Sequence, residues 1–253
     1  MKFSINYQGT PFLETSRVNS TVNRLNHRCE ILLTRNRHAI GNKNILDIAS
    51  HDGTFTYACL QLGAKYVVGV EPRSHLVHYA IKNLTSLGHE TSAFTFIEDD
   101  IFNYLPRVET GQFDTILCFG FFYHTTRQTE LLAQVSRIKP RYFILDTCVE
   151  RFEIPKSELL GLRRWESQAV AGYLVFYCEN PARDVATIQP TGLAATPTKS
   201  LVEALLSDYG FKFRQLNWGT GDIDNWYGIT DYKDQTRVSY LAEIDPTPRN
   251  QSR

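Results

Sequence analysis

The sequence predicts an α/β protein built on a doubly wound, mostly parallel sheet. Three observations carry this expectation. The apolar run Ile45-Leu46-Asp47-Ile48 contains an acid and leads into a tight small-residue turn, Ala49-Ser50-His51-Asp52-Gly53. A helix-period segment from Thr54 to Leu62 closes at Gly63, and a second apolar run, Val67-Val68-Gly69-Val70, ends on Glu71. The alternation then continues, with strand candidates at 45–48, 67–71, 94–98, 113–118 and 142–147 and helical patterns at 54–62, 73–87 and 126–138. Strands alternating with helices read as βαβ units on a parallel sheet. Right-handed crossovers place the loops after the first two strands on the same carboxyl edge.

The remaining elements are read around this core. Residues 1–44 form an N-terminal helical extension, in which Ser20 to Arg37 carries Val22, Leu25, Ile31, Leu32 and Leu33 as its apolar positions. Residues 45–147 make the cofactor-binding core. After Asp146 the rhythm breaks. Residues 148–197 hold charged pieces, a strand-like run from Tyr173 to Cys178 and a Pro/Thr/Ala/Gly-rich stretch from Asn180 to Pro197. With about 50 residues left, too few for a second domain of ordinary size, this segment reads as an insertion forming a substrate lid. Residues 198–244 complete the sheet. Ser200-Leu201-Val202-Glu203 has the capping-box pattern, the helix ends at Tyr209-Gly210, and Phe211–Leu216 and Val238–Ile244 are strands. Residues 245–253 read as a disordered tail. No internal repeat is present.

Composition narrows the function. Hydrophobic residues make up 42% of the 253, enough for a substantial core. Lys+Arg and Asp+Glu are 27 each, so no basic surplus exists to neutralise a phosphate backbone. The expected partner is a small molecule, with no nucleic acid. Five cysteines without CxxC spacing read as buried reduced thiols. No run approaches about 18 apolar residues and the N-terminus has no apolar signal core, which predicts a cytoplasmic protein with no membrane partner. None of these features encodes an oligomeric state.

The turn after the first strand decides the cofactor class. A dinucleotide site favours three glycines, so that the backbone can approach a pyrophosphate. Here Gly53 stands alone, with Ala49 and His51 at positions where glycines would serve. A glycine-poor turn cradles pyrophosphate badly but suits a cofactor without phosphate. Glu71, at the tip of the second strand, can accept from two adjacent ribose hydroxyls. The cofactor expected is therefore S-adenosylmethionine.

At these residues the chain resembles the class I S-adenosylmethionine-dependent methyltransferases. Asp47 to Gly53 matches their first motif, with Ala49 and His51 as departures, and Ser50 to Gly53 gives the Ser-His-Asp-Gly found in a subset of them. Glu71 matches the ribose-binding acid and is followed by Pro72. Glu98-Asp99-Asp100-Ile101 matches the adenine-contacting region. Phe113 to His124 matches the fourth-strand motif and its Tyr-His ending, which is similar to small-molecule methyltransferases and to bacterial wobble-uridine carboxymethyltransferases. The resemblance implies a Rossmann-like seven-stranded sheet with an antiparallel edge strand. It also implies a cofactor set of Asp47, Ala49, Ser50, His51, Gly53, Glu71, Pro72, Asp99, Asp100, Ile101, Phe119 and Gly120. Asp100 is favoured over Asp99, because the apolar Ile101 follows it directly.

The remaining candidates concern chemistry and substrate. His124, just past the fourth strand, is the candidate general base, with a structural histidine as the competing reading. His51 either caps the helix starting near Thr54 or faces the ligand. Tyr123 and Phe121 either wall the pocket or fill the core. Trp165, Trp218 and Trp226 fall in segments 148–197 and 218–236, where they either cover a substrate or pack the insertion onto the sheet. Asp146 is the only strand-end carboxylate matching the metal-dependent branch, and no metal is predicted. The expected reaction is methyl transfer to a hydroxyl oxygen of a small molecule, a saccharide being one candidate. The alternatives are a wobble-uridine-type RNA-modifying alkyltransferase and a non-catalytic cofactor-binding partner subunit.

Overall fold

A computed structural model describes residues 3–16, 21–151, 170–183, 187–219 and 223–244. The strands are β1 (Asn44–Ile48), β2 (Tyr66–Val70), β3 (Phe94–Ile97), β4 (Thr115–Phe119), β5 (Tyr142–Cys148), β6 (Leu174–Cys178), β7 (Leu193–Pro197), β8 (Phe211–Gln215) and β9 (Arg237–Ile244). The helices are α1 (Phe12–Thr15), α2 (Val22–Arg28), α3 (Thr54–Gln61), α4 (Ser74–Ser86), α5 (Ile101–Tyr104), α6 (Gln128–Ile138), α7 (Lys199–Asp208) and α8 (Thr230–Lys233).

Seven strands form one sheet in the order β3-β2-β1-β4-β5-β9-β8, while β6 and β7 pair as a separate antiparallel ribbon. The first five strands are parallel, and β9 runs against both β5 and β8. The reversed strand therefore sits one place in from the edge, and β8 is the edge itself. This follows from the connections. Helix α7 leads into β8, and the chain then returns through residues 216–236 to insert β9 between β8 and β5. Bonded on both sides, β9 is apolar and buried at Val238, Tyr240, Leu241 and Ala242.

The strands of the parallel half read as near-continuous apolar runs because helices cover both faces. Alternation assigns the side chains. Ile45, Val67, Leu117 and Ile144 face the layer containing α3 and the N-terminal segment. Leu46, Val68, Ile116 and Phe143 face α6 and α7, whose Leu131, Val135, Val202 and Leu206 are buried against them. Strand order reverses between β1 and β4, which opens a crevice at their carboxyl ends.

Several local readings are corrected. Thr198, not Ser200, caps α7: its hydroxyl accepts from Leu201 N–H at 3.3 Å. Glu203 does not close a capping box but accepts from the Tyr240 hydroxyl at 3.0 Å. The Ser20–Arg37 stretch is no uniform helix. After α2 it widens to a π turn at Cys29–Leu33 and tightens to a 3₁₀ turn at Thr34–Ala39. Asn36 explains part of the change, since its side-chain amide donates to the carbonyls of Ile31 and Leu32. Strand β7 has no counterpart among the expected elements. Trp165 and the tail at 245–253 lie outside the described residues. All five cysteines are free; Cys29, Cys59 and Cys118 are buried, whereas Cys178 is exposed. Among the described residues no helix is long and apolar enough to cross a membrane.

Candidate active site

A cleft of about 780 Å³ lies over the carboxyl ends of β1, β2 and β4. Its floor is the turn after β1. Asp47 is buried, and its Oδ2 accepts from the Thr56 hydroxyl at 2.8 Å. Burial and, less strongly, the charge of Glu71 push its carboxyl up to about 7, against the opposing hydrogen bond from Thr56. Ala49 and His51 adopt positive φ, 54° and 53°, where glycine is commoner. Gly53 also has positive φ, 83°, but it faces away from the cleft. A Cβ there would stand 2.9 Å from Leu84 Cδ1 and 3.2 Å from Ala80 Cβ, so glycine lets the turn pack closely against α4. His51 does not cap α3; the helix starts after Gly53 with no side-chain cap. His51 Nε2 and the Ser50 hydroxyl are buried with no hydrogen-bond partner, while His51 Nδ1 lies 3.3 Å from Asp52 Oδ1. A turn that holds two orphaned polar atoms against a cleft suits a polar ligand, because each such atom costs roughly 1–3 kcal/mol if left unmet.

The strand-end acids divide differently from expectation. Glu71 is fully buried and does not line the cleft. Its Oε1 accepts from Arg73 Nε at 2.6 Å and its Oε2 from the His51 N–H at 3.1 Å. Arg73 thus covers the carboxylate, since a buried ion needs a partner. Contact with a ribose at Glu71 requires Arg73 to move aside. Arg73 and Pro72 do line the cleft. Asp99 pairs with Arg107 and does not line the cleft. Asp100 lines the cleft, with Oδ1 accepting from Phe102 N–H at 2.8 Å to cap α5. Ile101, Phe119 and Gly120 line it as well.

Opposite the acids stands a pair that the sequence did not disclose. His124 Nδ1 lies 2.6 Å from Glu179 Oε1, and both residues line the cleft. Burial raises the Glu179 carboxyl, but the hydrogen bond and charge of His124, with the Thr187 N–H, bring it net below its ordinary value. Glu179 is positioned by the β6–β7 ribbon. Its N–H donates to the Gly192 carbonyl at 2.8 Å. Gly192 has φ 66°, and a Cβ there would lie 2.1 Å from the Glu179 carbonyl oxygen. Tyr123 lies beside His124, ring centroids 4.1 Å apart, and its hydroxyl accepts from Arg237 Nη2 at 3.1 Å. Phe121 also lines the cleft, partly buried against the α6 side of the sheet.

Both carboxylate oxygens of Asp146 are engaged by protein groups. Its Oδ2 accepts from Arg28, Arg237 and Tyr232, and its Oδ1 from Ser239. Burial opposes its ionisation, but the Arg28 and Arg237 charges outweigh it and keep the carboxyl below its usual value. Among the described residues no group of three or more His, Cys, Asp or Glu could hold a metal ion.

The two described tryptophans lie outside the main cleft. Trp218 is buried, stacks on Tyr232 at 3.4 Å between centroids and donates to Ser239 Oγ at 3.2 Å. Trp226 is partly buried against the same core. Neither lines the cleft. Aromatic surface next to a strand was better used to fill the space beside β9. Residues the sequence reading missed are Arg28, Arg73 and Glu179. Arg28 had a signal: it interrupts the apolar helical face of Leu25, Cys29 and Leu32. Glu179 had none, because it lies 55 residues from its partner in a stretch of turn-forming residues.

Comparison with known proteins agrees with this geometry. Residues 46–139 match a family described as a methyltransferase domain. A tRNA U34 carboxymethyltransferase of Trichodesmium erythraeum is 25% identical over 212 residues, covering 83% of this chain and 54% of its own. A Methanocaldococcus jannaschii protein assigned as a protein N5-glutamine methyltransferase is 36% identical over 87 residues, 34% of this chain and 41% of its own. The chain thus spans about half the length of the curated relatives it matches. Among solved structures, the N-terminal domain of EvdMO1 with S-adenosylhomocysteine bound superposes with a TM-score of 0.58 at 16% identity, over 84% of this chain and 79% of that one. An S-adenosylmethionine-dependent methyltransferase from Mesorhizobium loti gives 0.57 at 14% identity, over 87% and 99%. Residues 46–139 thus match a methyltransferase-domain family, and the chain shares the fold of solved S-adenosylmethionine-dependent methyltransferases.

Proposed function

We propose that the chain transfers a methyl group from S-adenosylmethionine to a hydroxyl oxygen of a small molecule. The observation that carries this reading is the His124–Glu179 pair, set in the same cleft as Asp100 and the orphaned polar atoms of the β1 turn. When bound, the cofactor supplies an electrophilic methyl group on a sulfonium sulfur. Asp100 and the Ile101 backbone would take the adenine. Glu71, once Arg73 yields, would take the ribose, and the Ser50 and His51 turn would take the portion beyond it.

Glu179 gives His124 its role. A carboxylate facing Nδ1 holds the ring proton there and leaves Nε2 as the acceptor. Nε2 can then take the proton of an acceptor hydroxyl while the oxygen attacks. The Tyr123 ring fixes the plane of the imidazole, and Arg237 fixes Tyr123. Positioning supplies the rest, since alignment of the nucleophile and exclusion of water are what a displacement at methyl requires. A saccharide acceptor loses its support, because Trp218 and Trp226 stand away from the cleft.

A second reading has one specific observation behind it. A relative that matches over 83% of this chain is a tRNA U34 carboxymethyltransferase. The balanced charge favours a small molecule instead. The deciding experiment incubates the protein and labelled methyl donor with a panel of hydroxylated metabolites and, separately, with bulk tRNA. Label in a metabolite, lost in His124→Ala, supports the first reading. Label in tRNA transfers the case to the second.

A further inference from the structure

Arg28 has more binding capacity than its protein partners use. It sits at the end of α2, lines the cleft and is 7% exposed. Its Nη2 donates to Asp146 Oδ2 at 2.8 Å, and its guanidinium lies 4.7 Å over the Phe55 ring. Its Nε is buried with no hydrogen-bond partner. A buried charged donor left unmet is costly, so an acceptor from outside the protein would be strongly favoured there. The local charge points the same way. Among the described residues, the ion pairs of Arg24, Arg28 and Arg237 are with Asp146 and Asp231, three cations against two anions. Both acids are engaged within the cluster: Asp146 by Arg28 and Arg237, Asp231 by Arg24 and Arg237. The surplus positive charge therefore remains for the cleft.

Position defines what can reach it. Phe55 packs edge-on against Phe119 at the end of β4, and Asp146 belongs to β5. Along the sheet edge, Arg28 thus stands on the β4/β5 side, whereas Asp100 follows β3 at the other end. We propose that Arg28 is a carboxylate-binding residue at the end of the cleft remote from Asp100. A guanidinium matches a carboxylate better than any other side chain, through charge-assisted hydrogen bonds of fixed geometry. The inference rests on the methyl-transfer reading, and under it two carboxylates arrive at this end: that of the amino-acid portion of the cofactor and that of an acidic acceptor.

Calorimetry on the full chain distinguishes these sources. S-adenosylhomocysteine and its analogue lacking the α-carboxylate are titrated into the wild type, Arg28→Lys and Arg28→Met. Benzoate and benzyl alcohol are then titrated into each protein, with and without saturating S-adenosylhomocysteine. The wild type should prefer the carboxylate member of one pair by about tenfold or more, and Arg28→Met should reduce that preference to within about twofold. Preference in the first pair identifies the cofactor as the source; preference in the second identifies the acceptor. Arg28→Lys keeps a charge opposite Asp146 and should fold even if Arg28→Met does not, and its preference should be reduced. Equal binding within both pairs by the wild type overturns the proposal, as does a preference that survives in the folded variants. Absence of any S-adenosylhomocysteine binding would instead remove the cofactor reading, and benzoate against benzyl alcohol on the free protein would still decide for or against Arg28.

Discussion

His124 and Asp47 illustrate how burial and a single neighbour assign a role to a titratable side chain. His124 is oriented by a carboxylate that lies in another element, and Glu179 is held ionised in return. His124→Ala should lower the methyl-transfer step by about a hundredfold to ten-thousandfold while S-adenosylhomocysteine affinity stays within a few-fold. Glu179→Gln should lower it less, by about tenfold, because the amide can still meet the ring nitrogen but no longer holds its proton at Nδ1 with a charge. Unchanged turnover in Glu179→Gln would reduce Glu179 to a packing role. Asp47 behaves oppositely. Its carboxyl is raised to about 7 in the folded chain, chiefly by burial, and titrates near 3.9 when unfolded. Between those values the folded chain binds the proton that the unfolded chain has released. Stability should therefore fall as pH rises from about 4 to about 7. Asp47→Asn removes this loss, so its melting temperature in the absence of cofactor should gain on the wild type across that interval. A gap that is constant with pH would show that Asp47 is not raised. At this scale the sequence disclosed the strand-end acids, because strand, turn and acid follow one another in the chain. It could not disclose that Arg73 covers Glu71 or that Asp99 turns to Arg107, since such choices depend on side-chain directions at one corner.

At the level of elements, the β6–β7 ribbon carries the least expected consequence. Tyr173 to Cys178 reads as a strand from its apolar run, but its partner Leu193–Pro197 contains Pro and two alanines and gives no strand pattern. The ribbon nevertheless fixes Glu179 through Gly192, the one residue type whose backbone can pass that close. Gly192→Val should force the ribbon open at Glu179 and leave His124 without its carboxylate. Methyl transfer should drop by at least about tenfold, while S-adenosylhomocysteine binding and the far-UV spectrum stay close to wild type. A variant with normal turnover would show that the ribbon does not position the base. The parallel strands, in contrast, were legible within about two residues, because burial on both faces writes them as unbroken apolar runs. Helix α7 was legible in place but not in its cap, since both Thr198 and Ser200 carry a suitable hydroxyl and only the backbone direction selects between them.

For the whole molecule, the sheet order brings distant segments to one crevice. The turn after β1, Asp100 after β3, His124 after β4, Arg28 from the N-terminal segment and Glu179 from the ribbon all line it. The alternation of strands and helices made this edge predictable, and the acid spacing predicted the class of cofactor. The N-terminal and ribbon contributions were not predictable, because their contacts join residues more than 50 positions apart without any periodic signature. The claim on which the account depends is that S-adenosylmethionine and its demethylated product bind in this crevice. Isothermal titration calorimetry with S-adenosylhomocysteine tests it most directly, on the wild type and on Glu71→Ala with its fold checked by melting. The account predicts one site per chain in the wild type and a loss of about 1–3 kcal/mol, roughly 5- to 150-fold in affinity, in the folded variant. No heat of binding in the wild type, or equal affinity in Glu71→Ala, would contradict it.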